Sequence, residues 1–409
     1  MPDARVAKWL RPGRFHPLRV LLGAVVFFVV GVLAYVVSPW VLPVRILEGP
    51  LLQQTTADAV SIVWYTSRPA ECAITLTTDE GKRTRPVAND GRRCRVRLTD
   101  LEPGRAYAYR ISRGSRTLAE ATLHTAKQPG YSFSFIVFGD SGTGGRAQYL
   151  LADQMVLAAP DFVLHTGDLV YNRGQRSHFN DRFFAPYREL LKQVCFWPCL
   201  GNHDIAEPDL GAPYLEVFEL PENGPTGLTP ERSYWFDYAA ARIAVIDSNL
   251  NETQLRDAVA PWLTEVMSEP GPRWKFVSLH HPPYTGGAYK PDGRVQNALV
   301  PVFEAVGVDI VFAAHDHMYQ RTAPIRGGEV VEPGAGVVYV VSGAGGALLY
   351  DALPPDQRPD YVIALNNEIH SFTRVKIKGD MLSLQQIALG CEMIDTWELQ
   401  EQSPAEDAP

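Results

Sequence analysis

The apolar and polar positions divide the chain into three regions, and the first is an uncharged run near the N-terminus. Residues 20–44 carry no charged side chain, and residues 20–37 are almost entirely Val, Leu, Phe, Ala and Gly. A helix over this stretch would cover about 27 Å, close to the roughly 30 Å hydrocarbon thickness of a bilayer. The pattern therefore predicts a transmembrane anchor at residues 20–42. A cleaved signal peptide and a buried core helix are the alternatives, and no clear small-residue cleavage site follows the run.

The residues before this run set its predicted orientation. Residues 1–19 contain five basic side chains against Asp3, a net charge of +4. Basic flanks favour the cytoplasmic side of a membrane. We therefore predict a single-pass membrane protein with a cytoplasmic basic segment at residues 1–19, contact with the lipid bilayer through residues 20–42, and the rest of the chain extracytoplasmic, either periplasmic or extracellular.

The second region, residues 45–127, has the pattern of a small all-β sandwich. Short runs with apolar–polar alternation recur about every ten residues, and they cover residues 59–65, 72–76, 94–98, 107–111 and 120–125. Cys72 and Cys94 lie in two of these runs and could form a disulfide in an oxidising compartment. The segment Leu101–Tyr107 resembles the tyrosine-corner turn of fibronectin type III domains, which implies that Tyr107 reaches back to upstream backbone. We interpret the region as a fibronectin type III-like spacer or docking module.

The third region, residues 131–392, alternates predicted strands with predicted helices. The strands are expected at 133–138, 162–165, 194–200, 242–246, 275–279 and 309–313, and the helices at 146–158, 252–268 and 295–306. This alternation is typical of an α/β layered domain, in which ligands bind where strands end. The remaining residues, 393–409, are predicted to form a disordered tail.

The distribution of charge limits the possible partners. Residues 45–127 carry 14 basic and 9 acidic side chains, whereas residues 128–409 carry a net charge of −17 within a total of −8. A domain this acidic is a poor nucleic-acid binder. We predict no nucleic-acid partner, and an anionic substrate would need a local source of positive charge.

Side chains that can bind metal ions follow several of the predicted strands. They are Asp140, Asp168, Asn202, His280, His315 and His317. Taken singly, each is more commonly a turn former or a structural polar group. Together they offer two carboxylates, one amide oxygen and three imidazoles at what should be one edge of a sheet. Such a mixture of oxygen and nitrogen ligands suits a pair of first-row transition ions.

Five segments carry these residues, and in their order they closely resemble the motifs of purple acid phosphatase-like metallophosphoesterases. The segments are Asp140–Gly142, Gly167–Tyr171, Gly201–Asp204, Val277–His280 and Ala314–His317. The resemblance covers residues 46–390, since larger members of that family also carry an N-terminal sandwich. The fold class that it implies is an α/β (α+β layered) four-layer metallophosphoesterase sandwich. A small all-β sandwich and an N-terminal transmembrane helix would precede it.

The resemblance also implies the ligands of each metal ion. The first ion would be held by Asp140, Asp168, Tyr171 and His317. Asp168 would bridge to the second ion, which is completed by Asn202, His280 and His315.

Two positions indicate the metals that this chain would use. Gly142 stands where most metallophosphoesterases have histidine, and Tyr171 lies three residues after the bridging aspartate. Exchanging an imidazole for a phenolate favours a harder ion. The resemblance therefore implies Fe(III) at the first site, with Fe(II), Zn or Mn at the second. A rough charge count for such a pair leaves about +1 to attract a phosphate ester. The alternative is that Tyr171 is only a packed aromatic side chain.

Residues next to the ligands are expected to act on the substrate. By resemblance, His203 contacts the phosphate and assists the leaving group, and Asp204 orients the His203 imidazole. A structural histidine is the alternative for His203. Tyr319 is expected to line the pocket, with Arg321 supporting it.

The loop after His280 departs from the family pattern. Many relatives place further histidines in this substrate-facing loop, whereas residues 285–290 of this chain contain none. The candidates to replace them are His281, Tyr289 and Lys290.

These expectations combine into one predicted function. The chain should be a membrane-anchored, extracytoplasmic dimetal phosphoesterase that hydrolyses phosphate monoesters, as acid phosphatases do, by attack of a metal-bound hydroxide. A phosphodiesterase on the same scaffold is the nearest alternative. A non-catalytic surface binding module is disfavoured because the ligand set is intact.

Overall fold

Seven strands form the sandwich at the start of the described chain. The computed structural model describes residues 43–287 and 289–400. The sandwich strands are β1 Ile46–Gln53, β2 Val60–Thr66, β3 Cys72–Thr78, β4 Gly81–Asp90, β5 Arg93–Leu98, β6 Ala106–Arg113 and β7 Arg116–His124. The five predicted strands are confirmed, and β1 and β4 are additional.

The sandwich is built from antiparallel neighbours. β2 lies between β1 and β5, and β6 lies between β3 and β7. The long strand β4 pairs with both β3 and β5 and so connects the two faces. Trp64, Ile74 and Ile111 belong to the apolar core between them. The Glu102 amide donates a hydrogen bond of 2.8 Å to the Tyr107 hydroxyl, so the predicted tyrosine corner is confirmed.

Two large sheets and one two-stranded sheet form the region that is expected to be catalytic. Its strands are β8 Phe133–Phe138, β9 Phe162–His165, β10 Cys195–Pro198, β11 Tyr234–Tyr238, β12 Ala241–Val245, β13 Trp274–Ser278, β14 Ile310–Ala313, β15 Tyr319–Thr322, β16 Ile325–Arg326, β17 Glu329–Val330, β18 Val338–Ser342, β19 Val362–Asn366, β20 Ser371–Lys378, β21 Met381–Ala388 and β22 Met393–Gln400. β8, β9 and β10 are parallel neighbours, and β20, β21 and β22 extend their sheet antiparallel beside β8. In the second sheet, β12, β13, β14 and β18 run parallel.

The two sheets pack face to face, with helices outside them. The Phe135 ring of β8 lies 5.6 Å from Phe276 and 6.0 Å from Phe312 of the second sheet, between ring centroids. The helices are α1 Arg146–Leu157, α2 Arg188–Leu191, α3 Ala212–Val217, α4 Glu252–Gln254, α5 Ala260–Ser268 and α6 Gly293–Val306, with π-helical turns at Asn180–Phe184 and Leu255–Val259 and 3-10 turns at Arg176–His178 and Pro355–Gln357. Helices α5 and α6 pack against Val277 and Val311 on the other face of the second sheet. This arrangement agrees with the expected layered α/β fold.

The sandwich is fixed to the catalytic region along several contacts. β1 pairs in parallel with β10, with Leu52 opposite Cys195. The Tyr65 hydroxyl donates to the Glu216 carbonyl at 2.9 Å, and the Tyr109 hydroxyl donates to that of Lys192 at 2.8 Å. The described residues from Ile46 onward form a single compact unit that contains both the sandwich and the layered α/β region.

The boundary predicted for the disordered tail lies too early in the chain. β22, Met393–Gln400, pairs antiparallel with β21, so the prediction of disorder from residue 393 is wrong. The Asp395 carboxylate accepts two hydrogen bonds from the Arg321 guanidinium, at 2.7 and 3.0 Å, which ties this strand to β15. The rest of the predicted tail, residues 401–409, lies outside the described residues.

The predicted membrane segment also lies outside the described residues. Both the basic segment, 1–19, and the anchor, 20–42, fall there. Within residues 43–287 and 289–400, no helix combines the length and apolar character needed to cross a bilayer.

The cysteines of the described chain are free thiols. Cys72 and Cys94 are buried and their side chains are hydrogen-bonded to each other, so the disulfide considered for them is not formed. Cys195 and Cys199 are buried, whereas Cys391 is exposed.

Candidate metal centre

Loops at the carboxyl ends of parallel strands bring the predicted ligands together. Asp140 follows β8, Asp168 follows β9, and His280 and His315 follow β13 and β14 of the opposite sheet. The His315 amide donates to Asp140 Oδ2 at 2.8 Å, and His280 Nδ1 lies 2.8 Å from the Thr166 carbonyl oxygen. These contacts join the loops of both sheets at one place.

The backbone of these loops adopts unusual conformations. Asp140, Asp168 and His315 have φ values of +53°, +56° and +70°, in the left-handed region that non-glycine residues seldom occupy. Neighbouring glycines allow the loops to approach one another. A Cβ atom on Gly201 would lie 2.0 Å from Asp168 Oδ1, and one on Gly142 would lie 1.9 Å from the Leu169 carbonyl oxygen. The position where most metallophosphoesterases have histidine is therefore closed to any side chain in this chain.

The first donor set consists of Asp140, Tyr171 and His317. The Tyr171 hydroxyl lies 3.1 Å from Asp140 Oδ1 and 2.9 Å from His317 Nε2. His317 Nδ1 donates to the Leu348 carbonyl at 2.6 Å, which leaves the Nε2 lone pair facing Asp140 Oδ1 at 3.6 Å. Tyr171 is thus part of the donor set and not a remote packed ring.

The second donor set consists of Asn202, His280 and His315. Asn202 Oδ1 lies 3.1 Å from His280 Nε2 and 3.0 Å from His315 Nδ1. Asp168 stands between the two sets: its Oδ1 is 3.6 Å from His280 Nε2, and its carboxylate is hydrogen-bonded to the Tyr171 hydroxyl. All seven predicted ligands are therefore brought together, with Asp168 where a bridging ligand would be.

Protonation in this cluster fits a bound cation. Because His280 Nδ1 donates to a carbonyl, a neutral His280 presents a lone pair to the Asn202 oxygen, and burial lowers the pKa of His280. Two acceptors then face each other, an arrangement that a cation between them would stabilise. Burial and Asp168 raise the pKa of Asp140, and burial and Asp140 raise the pKa of the Tyr171 phenol. Added positive charge between these groups would stabilise their deprotonated forms.

His203 lies at the open side of the cluster. Its side chain is 34% exposed, and Nε2 is 3.9 Å from Asp168 Oδ2. Its Nδ1 lies 2.7 Å from the Asn172 carbonyl oxygen, so Nδ1 is the donor and Nε2 faces the site. The Tyr171 ring packs against the imidazole with 4.6 Å between centroids.

The predicted role of Asp204 in orienting His203 is wrong. The Asp204 carboxylate accepts hydrogen bonds from the backbone amides of Gly201, Leu169 and Val170, at 2.9, 3.2 and 3.2 Å. Burial and the charge of Asp168 raise the pKa of Asp204 to about 8. The side chain therefore clamps the Asp168 loop to the Asn202 loop, while the Asn172 carbonyl orients His203.

His281 is located beside the second donor set rather than at the open side. Its side chain is 7% exposed, and Nδ1 lies 2.8 Å from the Ser248 hydroxyl. Its ring centroid is 4.7 Å from that of His315. Burial, together with His280 and His315, lowers the pKa of His281. The ring is enclosed, and one of its nitrogens lies within 4.8 Å of nitrogens of His280 and His315. The catalytic and substrate-binding roles of His281 stay predictions.

Tyr319 does not line the pocket. It is fully buried, and its hydroxyl donates to Asp395 Oδ2 at 2.6 Å, beside the Arg321 contact with the same carboxylate. The prediction for Tyr319 was wrong because the motif does not show which side of its strand the ring faces. The contact with Asp395, a residue distant in sequence, places the ring in the core.

Tyr289, in contrast, lies at the mouth of the site. Its ring stacks on His315 with 4.4 Å between centroids, and its amide donates to Asp316 Oδ1 at 3.1 Å. The same carboxylate accepts from the Thr285 hydroxyl at 2.5 Å. Asp316 thus supports the site, because it ties the loop that carries Tyr289 to the last motif.

Sequence reasoning missed Tyr350. Its ring stacks on His317 with 3.8 Å between centroids and 12° between planes. It lies in the loop after β18, a strand with the same apolar pattern as the others. The loop has no histidine, and its first aspartate, Asp351, stands well beyond the end of the strand, so the strand end itself was the usable signal.

Comparison with known proteins agrees with this geometry. The family model of calcineurin-like phosphoesterases matches residues 133–319. A probable inactive purple acid phosphatase 24 of Arabidopsis thaliana is 26% identical over 301 residues, which are 62% of this chain and 48% of the plant protein. An acid phosphatase type 7 of Mus musculus is 27% identical over 335 residues, 72% of this chain and 73% of the mouse protein. The chain thus spans about half the length of the plant relative.

A solved structure shows the same fold. The purple acid phosphatase PPD1 from yellow lupin seeds superposes with a TM-score of 0.75 at 18% identity, over 86% of this chain and 74% of the lupin chain. The superposed part, 86% of this chain, is longer than the layered α/β region alone. It therefore includes residues of the sandwich as well.

Proposed function

Because this chain is a metallophosphoesterase of the purple acid phosphatase type, we propose that it hydrolyses phosphate monoesters at a centre of two metal ions. The observation that carries the proposal is the position of Asp168. Its carboxylate contacts Tyr171 of the first donor set and His280 of the second. One carboxylate shared by two donor sets is the arrangement that a two-metal hydrolase needs.

The donor sets would hold different ions. Asp140, Tyr171, His317 and the shared Asp168 suit a hard trivalent ion such as Fe(III), because a phenolate and two carboxylates supply anionic oxygen. Asn202, His280 and His315 with Asp168 suit Fe(II), Zn or Mn. Two bound cations would neutralise the phosphoryl oxygens and lower the pKa of the attacking water.

The chain's own residues would orient the substrate and supply a proton. His203 presents Nε2 to the open side, with Nδ1 fixed on the Asn172 carbonyl. In its protonated form, Nε2 would donate to the leaving-group oxygen as the ester bond breaks. Asp204 would keep the Asp168 and Asn202 loops at a fixed separation through its three amide contacts.

The test of the activity is metal analysis of the purified full chain together with paired substrates. We expect two bound ions per chain and turnover of p-nitrophenyl phosphate well above that of bis(p-nitrophenyl) phosphate, which has the same leaving group. A preference for the diester would favour a phosphodiesterase. Metal-loaded protein that hydrolyses neither would refute the proposal and leave a non-catalytic surface module.

The identity of the first ion has a spectroscopic test. A phenolate bound to ferric iron absorbs visible light, so we expect a purple protein whose colour is lost in Tyr171→Phe. Active but colourless wild-type protein would place zinc or manganese at the first site instead.

We also propose that the enzyme is anchored in a membrane with its catalytic region outside the cytoplasm. The apolar run at residues 20–37 and the basic residues before it support this proposal. Fractionation of cells that express the full chain, followed by protease treatment of intact cells, should locate it in membranes and degrade the catalytic region. Recovery in the cytoplasmic fraction would refute it.

A further inference from the structure

Aromatic rings surround the mouth of the metal centre. Tyr289 stacks on His315 at 4.4 Å, Tyr350 stacks on His317 at 3.8 Å, and the two tyrosine rings meet edge to face at 5.7 Å, between centroids. On the opposite side, the Tyr171 ring packs against His203. The donors beneath are buried, with Asp140, Asp168 and His280 at most 1% exposed. The aromatic rings therefore flank the buried donors that an ester would have to approach.

The two tyrosines are held on the metal-binding loop. The Tyr289 amide donates to Asp316, and the Tyr350 amide donates to the His317 carbonyl at 3.2 Å. Between β18 and Tyr350, the Leu348 carbonyl accepts from His317 Nδ1. These hydrogen bonds tie the backbone of all three residues to the last motif, and stacking on His315 and His317 orients the two tyrosine rings.

Part of this rim is apolar and exposed. Tyr289 is 45% exposed and Leu348 is 83% exposed. Stacking on His315 and His317 covers one face of each tyrosine ring. It leaves part of Tyr289 and the side chain of Leu348 exposed to solvent. Exposed apolar groups beside a polar site commonly mark contact with a ligand.

We propose that Tyr289 and Tyr350 form an aromatic wall, extended by the exposed Leu348, that selects phosphate esters whose leaving group is a planar aromatic ring bound directly to the ester oxygen. This inference rests on the proposed function, because it concerns the substrate of the same site. A phosphoryl group at the donor sets would project an aryl ring against this wall, where offset or edge-to-face contacts stabilise it. A small alkyl group would not cover the wall, which would stay exposed to water.

The competing role for these tyrosines is support of the imidazoles on which they stack. That role affects every substrate equally, whereas a wall changes the ratio between aryl and alkyl esters. The ratio is therefore the measurement that separates the two roles.

The kinetic experiment compares phenyl phosphate with glycerol 1-phosphate in the full-length, metal-loaded protein. We expect Tyr289→Leu and Leu348→Ser each to lower kcat/KM for phenyl phosphate about five- to tenfold more than for glycerol 1-phosphate. Tyr350→Phe should keep the wild-type ratio, whereas Tyr350→Leu should lower it. Tyr131→Leu, an exposed tyrosine at 66% exposure, is the matched control. Equal losses on both substrates would overturn the proposal.

A binding measurement keeps the inference testable if turnover fails. Calorimetric titration of the metal-loaded protein with phenylphosphonate and methylphosphonate requires no hydrolysis. We expect tighter binding of phenylphosphonate in wild type, and a smaller difference in Tyr289→Leu. Protein that binds phenylphosphonate selectively but hydrolyses no ester would refute the proposed function and retain the wall. Equal affinity for both phosphonates would overturn the wall while leaving hydrolysis intact.

Discussion

The interior of the sandwich and the interior of the metal-donor cluster are both closed to solvent, but they are built from different side chains. Trp64, Ile74 and Ile111 in the sandwich are at most 1% exposed and bury apolar surface. Asp140 and His280 are equally buried but carry polar groups whose pKa values are displaced by burial. Apolar burial stabilises the folded chain, whereas buried carboxylates and imidazoles cost stability until a cation balances them. Substitutions in the sandwich core should therefore lower the free energy of unfolding, whereas substitutions in the donor cluster should lower activity.

The largest expected effect comes from the shared carboxylate. Asp168→Asn should lower kcat/KM at least about a thousandfold, because one oxygen anion leaves both donor sets. Metal-free Asp168→Asn should be no less stable than metal-free wild type, since the charge of Asp168 contributes to the raised pKa of Asp140. Hydrolysis rates, metal content and thermal unfolding of both forms would measure this.

The control for that substitution is Asp153→Asn, an exposed aspartate on α1. It should change neither activity nor metal content. Asp168→Asn protein that retained near-wild-type turnover would contradict the assignment of Asp168 as the shared ligand.

The sandwich should respond in the opposite way. Ile111→Ala should lower the free energy of unfolding by about 2–5 kcal/mol, because it leaves a cavity in the apolar core, while kcat of the folded protein stays unchanged. Urea unfolding and activity at a permissive temperature would measure both quantities, with Thr77→Ala on the exposed face of β3 as control. Loss of kcat without loss of stability would show that the sandwich takes part in catalysis.

Asp395 on β22 tests whether a partly buried charge stabilises the fold when the charge has a partner. Asp395 accepts from Arg321 and Tyr319, whose contacts outweigh burial and lower the pKa of Asp395. Asp395→Asn should lower the free energy of unfolding at pH 7 by about 1.5–3 kcal/mol. A depressed pKa in the folded state stabilises above the unfolded pKa, near 3.9, and this contribution is lost as pH falls through the folded value.

The difference between Asp395→Asn and wild type should therefore shrink below about pH 4. Urea unfolding at pH 7 and pH 3 would measure it, with the exposed Glu398→Gln on the same strand as control. A difference that grew on acidification would contradict this account of the Asp395 pair.

The same contrast explains what could be predicted from the sequence. β8 and β9 were expected at their observed bounds, and the ligands after them were found because aspartate and histidine at successive strand ends are chemically distinctive. Tyr350 lies in the loop after an equally regular strand, but no aspartate or histidine stands directly at the end of that strand. The roles of Asp204 and Tyr319 depend on the direction of each side chain, which contacts from distant segments decide. For Asp204 these are the Leu169 and Val170 amides, and for Tyr319 it is the Asp395 carboxylate.

The smallest expected effect is at the tyrosine corner of the sandwich. Tyr107→Phe removes the acceptor for the Glu102 amide but keeps the buried ring. It should lower the free energy of unfolding by about 1 kcal/mol, the typical net contribution of one hydrogen bond, and leave kcat and metal content unchanged. Urea unfolding beside Tyr131→Phe, which alters an exposed hydroxyl, would measure it. A loss as large as that of Ile111→Ala would mean that the corner, and not the apolar core, dominates the stability of the sandwich.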